Sequence, residues 1–235
     1  MTKFKRRVSI LLGTIFLFIL IIVRANQPSN EDFLRRKITD SFISLPGGCG
    51  SVIGCEKDIK NDNYQIFILT ANHLVKKDKP IWVKFPVIDQ TGKEVSFKLG
   101  IGKVVFNNLK YDIAIIAVKD RKYIQPTTIN IKPVKLLDHI YEIGRPAGSI
   151  LWVTDGCIAS LNVKSGMFGH SAATYFGNSG GPIFNDNGEQ VGFASQTVLD
   201  ERFIDNILIT HLNYGISIDT VKEVLGKDYD KYFKE

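Results

Sequence analysis

Cysteine is scarce in this chain: three among 235 residues, at Cys49, Cys55 and Cys157. An odd count of three leaves room for one internal bridge at most, which excludes a disulfide-stapled framework. No Cys-x-x-Cys occurs, and no Cys/His group has zinc-ligand spacing, so no metal site is expected. Cys49 and Cys55 are close in sequence. On one extended strand, however, six residues of rise would part them by about 20 Å, beyond disulfide reach, and free thiols are expected. Basic charge is also lacking where a nucleic-acid binder needs it. The net charge of +6 comes from residues 1–37, which hold eight Lys/Arg against two acids, while residues 38–235 hold 22 of each sign. A neutral folded region lacks the electrostatic footprint of nucleic-acid binding, and no nucleic-acid partner is expected. Internal repeats and low-complexity tracts are absent from the sequence. An apolar content of 44% in 235 residues allows one domain with a real core, or two small barrels folding as a unit.

One long apolar run is present. Lys3, Lys5, Arg6 and Arg7 precede Val8 to Val23, sixteen residues without a charge, closed by Arg24. That length lies between a signal-peptide core of about 7–15 residues and a spanning helix of about 17–25. The basic cluster before the run keeps the N-terminus cytoplasmic and sends the rest across. An uncleaved transmembrane anchor over residues 8–23 is expected, with secretion after cleavage near Ala25 as the alternative. Either places the remainder outside the cytoplasm. Residues 1–25 thus read as basic tip and anchor or signal, and 26–45 as a polar linker ending in a short amphipathic piece. The folded domain reads as 46–226, with 227–235 as a tail.

Beyond Gly47 the pattern is short apolar runs parted by turn signals, which predicts an all-β sandwich or barrel. Strands are expected at Tyr64–Leu69, Ile81–Phe85, Glu94–Leu99, Lys103–Phe106, Ile113–Val118, Ile150–Val153, Gly156–Leu161 and Gln190–Ala194. Asp-Gln-Thr-Gly at 89–92 and Asn-Asp-Asn-Gly at 185–188 read as hairpin turns. Only the end looks helical, with Asp219 capping Thr220–Leu225 and Gly226 just beyond.

Three stretches have residues suited to chemistry. Gly177-Asn178-Ser179-Gly180-Gly181-Pro182 surrounds a serine with glycines that permit a tight turn. Such a turn exposes the Oγ and aims the Gly177 and Ser179 N–H groups at a developing oxyanion. Thr70-Ala71-Asn72-His73 puts a histidine just past a buried strand, where a base would be rigidly held. Tyr111-Asp112-Ile113-Ala114-Ile115-Ile116 opens an apolar strand with a carboxylate that needs a partner, and the His73 imidazole would supply one. Alone, each also reads as a plain turn or strand end. Together, in the order His73, Asp112, Ser179, they form a catalytic set.

Those three stretches resemble the Thr-Ala-Ala-His, Asp-Ile-Ala-Leu and Gly-Asp-Ser-Gly-Gly-Pro signatures of chymotrypsin-like serine proteases. The likeness is nearest to bacterial HtrA/Deg-type and related trypsin-like peptidases. These share Gly-Asn-Ser-Gly-Gly-Pro, a preceding Ala-Ala pair (here Ala172-Ala173) and a closing helix. Covering about residues 46–226, the resemblance implies two perpendicular six-stranded β-barrels, about 46–125 and 130–215, with the site in the cleft between them. It also implies a short C-terminal helix and a His73-Asp112-Ser179 triad acting without a cofactor on a protein or peptide substrate. The pocket would be lined by Ala173, Phe193, Ala194 and Ser195. Ala173 stands where trypsin-like enzymes place an acid, so the expected preference is a small or medium apolar side chain rather than Lys/Arg. Asn178 stands where digestive relatives have an aspartate that pairs with a freed N-terminus, so activation by clipping is not expected. No cysteine follows His73 to bracket its loop, and no PDZ module is expected past residue 226. His170 is a candidate for the pocket wall, His139 reads as lying in an inter-strand loop, and His211 reads as structural. Two rivals are weighed: a protease-like binding or sensing module without turnover, and an α/β-hydrolase using Asp205 and His211. The latter needs a helix after the serine, which Pro182 and the hairpin-like stretch after it oppose.

Overall fold

Two rings of antiparallel strands, each built on alternating side chains, form the framework of the chain between Phe42 and Ser217. The computed structural model describes residues 30–234 apart from 90, 162, 164, 165 and 201–206, and from Leu34 onward the chain is one compact unit. Helix α1 (Asn30–Thr39) leads into β1 (Phe42–Leu45), β2 (Gly48–Asp58), β3 (Asn63–Ala71), β4 (Ile81–Ile88), β5 (Glu94–Asn108) and β6 (Ile113–Asp120). These strands close a barrel in the order β1-β2-β3-β6-β5-β4, with Ser44 of β1 opposite Lys84 of β4. The second ring holds β8 (His139–Gly144), β9 (Trp152–Ser160), β10 (Met167–His170), β11 (Pro182–Phe184), β12 (Glu189–Asp200) and β13 (Ile207–Ser217). Pairing of β11 with both β8 and β12 closes it, and β7 (Thr128–Ile129) lies parallel beside β12. The all-β expectation of two six-stranded barrels holds. A strand, not a helix, follows Ser179, which removes the α/β-hydrolase reading. Of that rival's residues, Asp205 lies outside the described residues and His211 falls on β13.

The strands beside the site read as continuous apolar runs because both their faces are buried. On β3, Ile66 and Ile68 point into the first barrel with Val83 and Val118. Phe67, Leu69 and Ala71 point outward into a second cluster with Phe193 and Ile216 of the other ring. On β6, Ile116 and Val118 face inward while Ile113 and Ile115 join that outer cluster. A strand alternates its side chains with period two, so one apolar run fills a barrel and glues it to its neighbour. A smaller cluster of Ile38, Phe42, Cys49, Ile143 and Phe184 draws on both rings and on α1.

Several elements depart from expectation. The stretches 94–99 and 103–106 form one long strand, β5. Its Gly102 reads as punctuation, yet a Cβ there would lie 2.3 Å from the Ile116 side chain, so the glycine permits close packing between strands. Strand β9 likewise runs through Gly156. Cys49 and Cys55 both lie on β2 and are free thiols. The segment read as linker contains α1 and β1, and β1 is a barrel strand with all four residues buried. The residues read as tail include α3 (Tyr229–Tyr232), whose Tyr232 packs into the inter-ring cluster. The closing helix α2 (Ile218–Leu225) is capped by Ser217 rather than Asp219, the Ser217 Oγ accepting from the Thr220 N–H at 3.1 Å. Serine at this position has the extended backbone that an N-cap needs. The transmembrane expectation for 8–23, and the cleavage point near Ala25, lie outside the described residues. Among the described residues no helix is long and apolar enough to cross a membrane.

Ser217→Ala removes the α2 cap and is expected to lower unfolding free energy by about 1 kcal/mol, measured as a shift in the urea midpoint at unchanged m-value.

Candidate active site

The ends of two paired strands bring His73 and Asp112 together. In the antiparallel β3–β6 register, Ala71 lies opposite Ile113. The residues just outside that pair are therefore neighbours, and the Asn72 N–H donates to the Asp112 carbonyl at 3.0 Å. His73 sits in the short 3-10 turn Asn72–Leu74. Its backbone N–H donates to Asp112 Oδ1 and its Nδ1 lies against Oδ2, both at 2.9 Å. Asp112 takes a left-handed φ of 54°, uncommon outside glycine but tolerated by aspartate. A third donor comes from the other ring, the Ser195 hydroxyl of β12 at 2.7 Å from Asp112 Oδ2.

These contacts set the charge states. Burial pushes the Asp112 carboxyl up, but the bonds from His73 and Ser195 outweigh it and hold the group below the usual carboxylate range. The bond from Asp112 raises His73 above the ordinary imidazole value of 6.5, against burial, which lowers it. With Nδ1 engaged by a carboxylate, that nitrogen bears the proton and Nε2 presents a lone pair. The His73 side chain is 47% exposed, so Nε2 is open to the cleft.

Ser179 sits in a turn pinned from both rings. Its carbonyl accepts from the Cys49 N–H at 2.8 Å, and the Gly180 N–H donates to the Ala194 carbonyl at 2.7 Å. The preceding Gly177 has φ +101°, and a Cβ there would lie 2.4 Å from the Arg145 carbonyl, so only glycine fits. The Phe176 carbonyl accepts from the Ala147 N–H at 2.6 Å. Across a trans peptide the N–H points opposite to the C=O, so the Gly177 N–H faces away from the 145–148 loop. Among the described residues neither the Gly177 nor the Ser179 N–H donates to a protein acceptor, which leaves two amide donors for a ligand oxygen. No hydrogen bond joins Ser179 Oγ to His73 among the described residues. Catalytic pairs often lie apart in this way before substrate binds.

The other candidates are distributed unevenly. Ala173 is half-buried, with its carbonyl bonded to Thr154. Phe193 and Ala194 are fully buried. The Phe193 ring belongs to the inter-ring core and lines no pocket wall. Ser195, expected on a pocket wall, is also a ligand of Asp112. A cavity of about 210 Å³ is lined by Leu45, Gly48, Lys84, Arg145 and Gly177 among others, and by none of those four. His170 is not on a wall: it is buried beside Phe168 at a ring distance of 5.9 Å, and burial lowers it to about 4. Cys49 lies under the turn with its Sγ donating to the Gly177 carbonyl at 3.2 Å. Burial pushes its thiol up to about 12, so it is a spacer and not a nucleophile. Among the described residues no cluster of His, Cys, Asp and Glu has the makings of a metal site. Sequence reasoning missed Glu142, whose carboxylate is buried directly behind Asn178. Its signal was legible: in His139–Gly144, period two puts Glu142 on the same face as the core residue Ile140.

A family model described as a trypsin-like peptidase domain matches residues 50–193, a span that contains His73, Asp112 and Ser179. The chain belongs to the trypsin-like peptidase domain family. Protease Do-like 2, chloroplastic, from Arabidopsis thaliana is 31% identical to this trypsin-like chain over 176 residues, covering 70% of it and 26% of the relative. A probable periplasmic serine endoprotease DegP-like from Rhizobium meliloti is 33% identical over 133 residues, covering 54% of this chain and 25% of its own length. The chain thus spans about a quarter of the length of these curated relatives. The serine endoprotease from Yersinia pestis superposes with a TM-score of 0.63 at 20% identity, covering 86% of this chain and 66% of that one, and shares the trypsin-like fold.

Asp112→Asn is expected to bring the His73 titration, followed by NMR of the ring protons, down towards 6.5 or below. The sign for stability follows by linkage. A raised folded-state pKa makes the His73–Asp112 pair stabilising below the unfolded value of 6.5, and the gain is lost as pH rises through the raised value.

Proposed function

We propose that this chain is a serine endopeptidase cutting protein or peptide substrates through His73, Asp112 and Ser179. The observation that carries the reading is Asp112 clamping the His73 ring by Nδ1 beside a turn that presents Ser179 and two unpaired backbone N–H groups. Ser179 Oγ attacks the scissile carbonyl carbon while His73 Nε2 takes the hydroxyl proton. The Gly177 and Ser179 N–H groups hold the oxygen that becomes negative. His73 returns the proton to the leaving amine, the C–N bond breaks, and an acyl ester on Ser179 remains. Water, deprotonated by the same nitrogen, then releases the acid. Asp112 holds the tautomer and stabilises the transient imidazolium, with Ser195 keeping its second oxygen in place.

Ala173 puts no carboxylate in the proposed side-chain pocket, which supports a preference for small or medium apolar residues over Lys/Arg. The run at 8–23 and the periplasmic or chloroplastic naming of relatives support action outside the cytoplasm, held at a membrane by residues 8–23.

Ser179→Ala is expected to abolish hydrolysis of a denatured protein substrate with thermal unfolding unchanged, and to abolish labelling by a fluorophosphonate probe. Undiminished hydrolysis in that variant refutes the assignment. A folded wild-type chain that neither hydrolyses nor labels points instead to a binding module that keeps the fold without turnover. In the active case kcat/KM rises with pH along a limb above 6.5, reporting His73 in its raised state.

A further inference from the structure

The Asn178 side chain points away from the cleft, into the core of the second ring. Asn178 is 3% exposed. Its Nδ2 donates to Glu142 Oε1 at 2.9 Å, and the other carboxylate oxygen accepts from the Thr174 hydroxyl. Glu142 lies on β8, is 1% exposed and has Ile140 and Ile143 as buried neighbours on its strand. The Asn178 side chain fits tightly: a Cβ on Gly144 would fall 2.4 Å from its Cγ. The Asn178 backbone closes the nucleophile turn, its N–H donating to the Tyr175 carbonyl at 3.0 Å and its carbonyl accepting from Gly181 at 2.8 Å. One residue therefore links a buried carboxylate to both flanks of Ser179.

A carboxylate in an apolar barrel costs several kcal/mol unless its lone pairs are used. Burial pushes Glu142 up to about 7, even against the bonds from Thr174 and Asn178, which lower it. Its other titratable neighbours are in fixed states near neutrality. His170 on β10, 3.8 Å away, is neutral because burial lowers it to about 4. The Cys49 thiol is raised to about 12. No packing requirement of the barrel calls for an acid here, since an apolar residue would fill the same space. What an acid adds is an acceptor of fixed position for the Asn178 amide.

We infer that Glu142 is a positioning residue for the reaction: through the Asn178 amide it holds the turn that aims the Gly177 and Ser179 N–H groups and the Ser179 hydroxyl. This rests on the serine-protease reading, and the loss of hydrolysis in Ser179→Ala checks that reading separately. Glu142 touches no substrate. It acts on the oxyanion donors, so its loss falls on kcat and leaves KM nearly alone.

The test is a donor–acceptor swap in the full chain, reading kcat, KM, the rate of fluorophosphonate labelling and the thermal midpoint. Glu142→Gln keeps an oxygen for Asn178 and an NH₂ for the Thr174 oxygen, and is expected to stay within about threefold of wild-type kcat. Asn178→Asp sets two carboxyls face to face, which must share one proton. Its kcat is expected to fall about 10- to 100-fold by pH 9, below the loss of about 10²–10³ that removing an oxyanion donor outright brings, with KM changed less than about twofold. Because the shared proton leaves as pH rises, this variant loses activity with pH where wild type gains it. Glu142→Gln with Asn178→Asp restores a matched pair, the new amide donating to the new carboxylate, and is expected to recover kcat to within about threefold of wild type. If Asn178→Asp alone does not fold, recovery of both fold and kcat in the double variant supports the inference equally. An Asn178→Asp variant with unchanged kcat and pH profile, or a double variant no better than the single one, overturns it. Wild type that neither hydrolyses nor labels fails the protease reading instead.

Discussion

The Asp112 carboxylate is half-buried where two barrels meet, and both of its oxygens are in use. The His73 backbone takes one, and the His73 ring and the Ser195 hydroxyl take the other. A carboxylate left unpaired at such a site would be protonated or would open the interface, since desolvation of an unpaired charge exceeds what neighbouring packing returns. Charge-assisted hydrogen bonds contribute about 1.5–3 kcal/mol each, so three of them keep the group ionised despite burial. The same bonds fix the imidazole, and they tie β12 of the second ring to the β3–β6 edge of the first. The proposed chemistry and the docking of the barrels thus share one set of atoms.

That arrangement depends in turn on strand register. His73 and Asp112 are neighbours because Ala71 lies opposite Ile113. A slip of one residue would part them, and would also turn Ile66 and Ile68 out of the barrel and Phe67 and Leu69 into it. The hydrophobic alternation that fills two different cores therefore also sets the geometry of the acid–base pair. Each ring contributes what the other lacks. The first carries His73 and Asp112 on strand ends, and the second carries the turn around Ser179. The Cys49–Ser179 backbone bond holds the two in contact. Behind the turn, the second barrel accepts a buried polar cluster of Glu142, Thr174 and Asn178 in space that apolar side chains would otherwise occupy.

Much of this was legible in the residues. The apolar runs of β3 and β6, the turns at 89–92 and 185–188, and the closing helix follow from periodicity and turn chemistry. Boundaries were less legible for stated reasons. Glycines at 100 and 102 read as a break in β5, but they permit close packing against Ile116 and Phe85. The short strand Phe42–Leu45 pairs with β2 as a local hairpin and closes the barrel only through long-range pairing with β4. Ser217, not Asp219, caps α2, because the backbone turns two residues earlier than the charge pattern implies.

At the site the division is sharper. Residue types and their order were enough to single out His73, Asp112 and Ser179, since the chemistry needs a base, its carboxylate and a serine among glycines. They were also enough to set Asn178 apart, because an amide cannot make the ion pair that an acid would. Only the tertiary structure decided what Asn178 pairs with instead, that Ser195 serves Asp112, and that the Phe193 ring belongs to the core. The first two are contacts between residues 36 and 83 positions apart, and the third joins Phe193 to first-ring residues such as Ile113, 80 positions away. Local pattern carries the propensity of each segment. Which distant segment meets it is settled by closing two barrels and burying the faces left over.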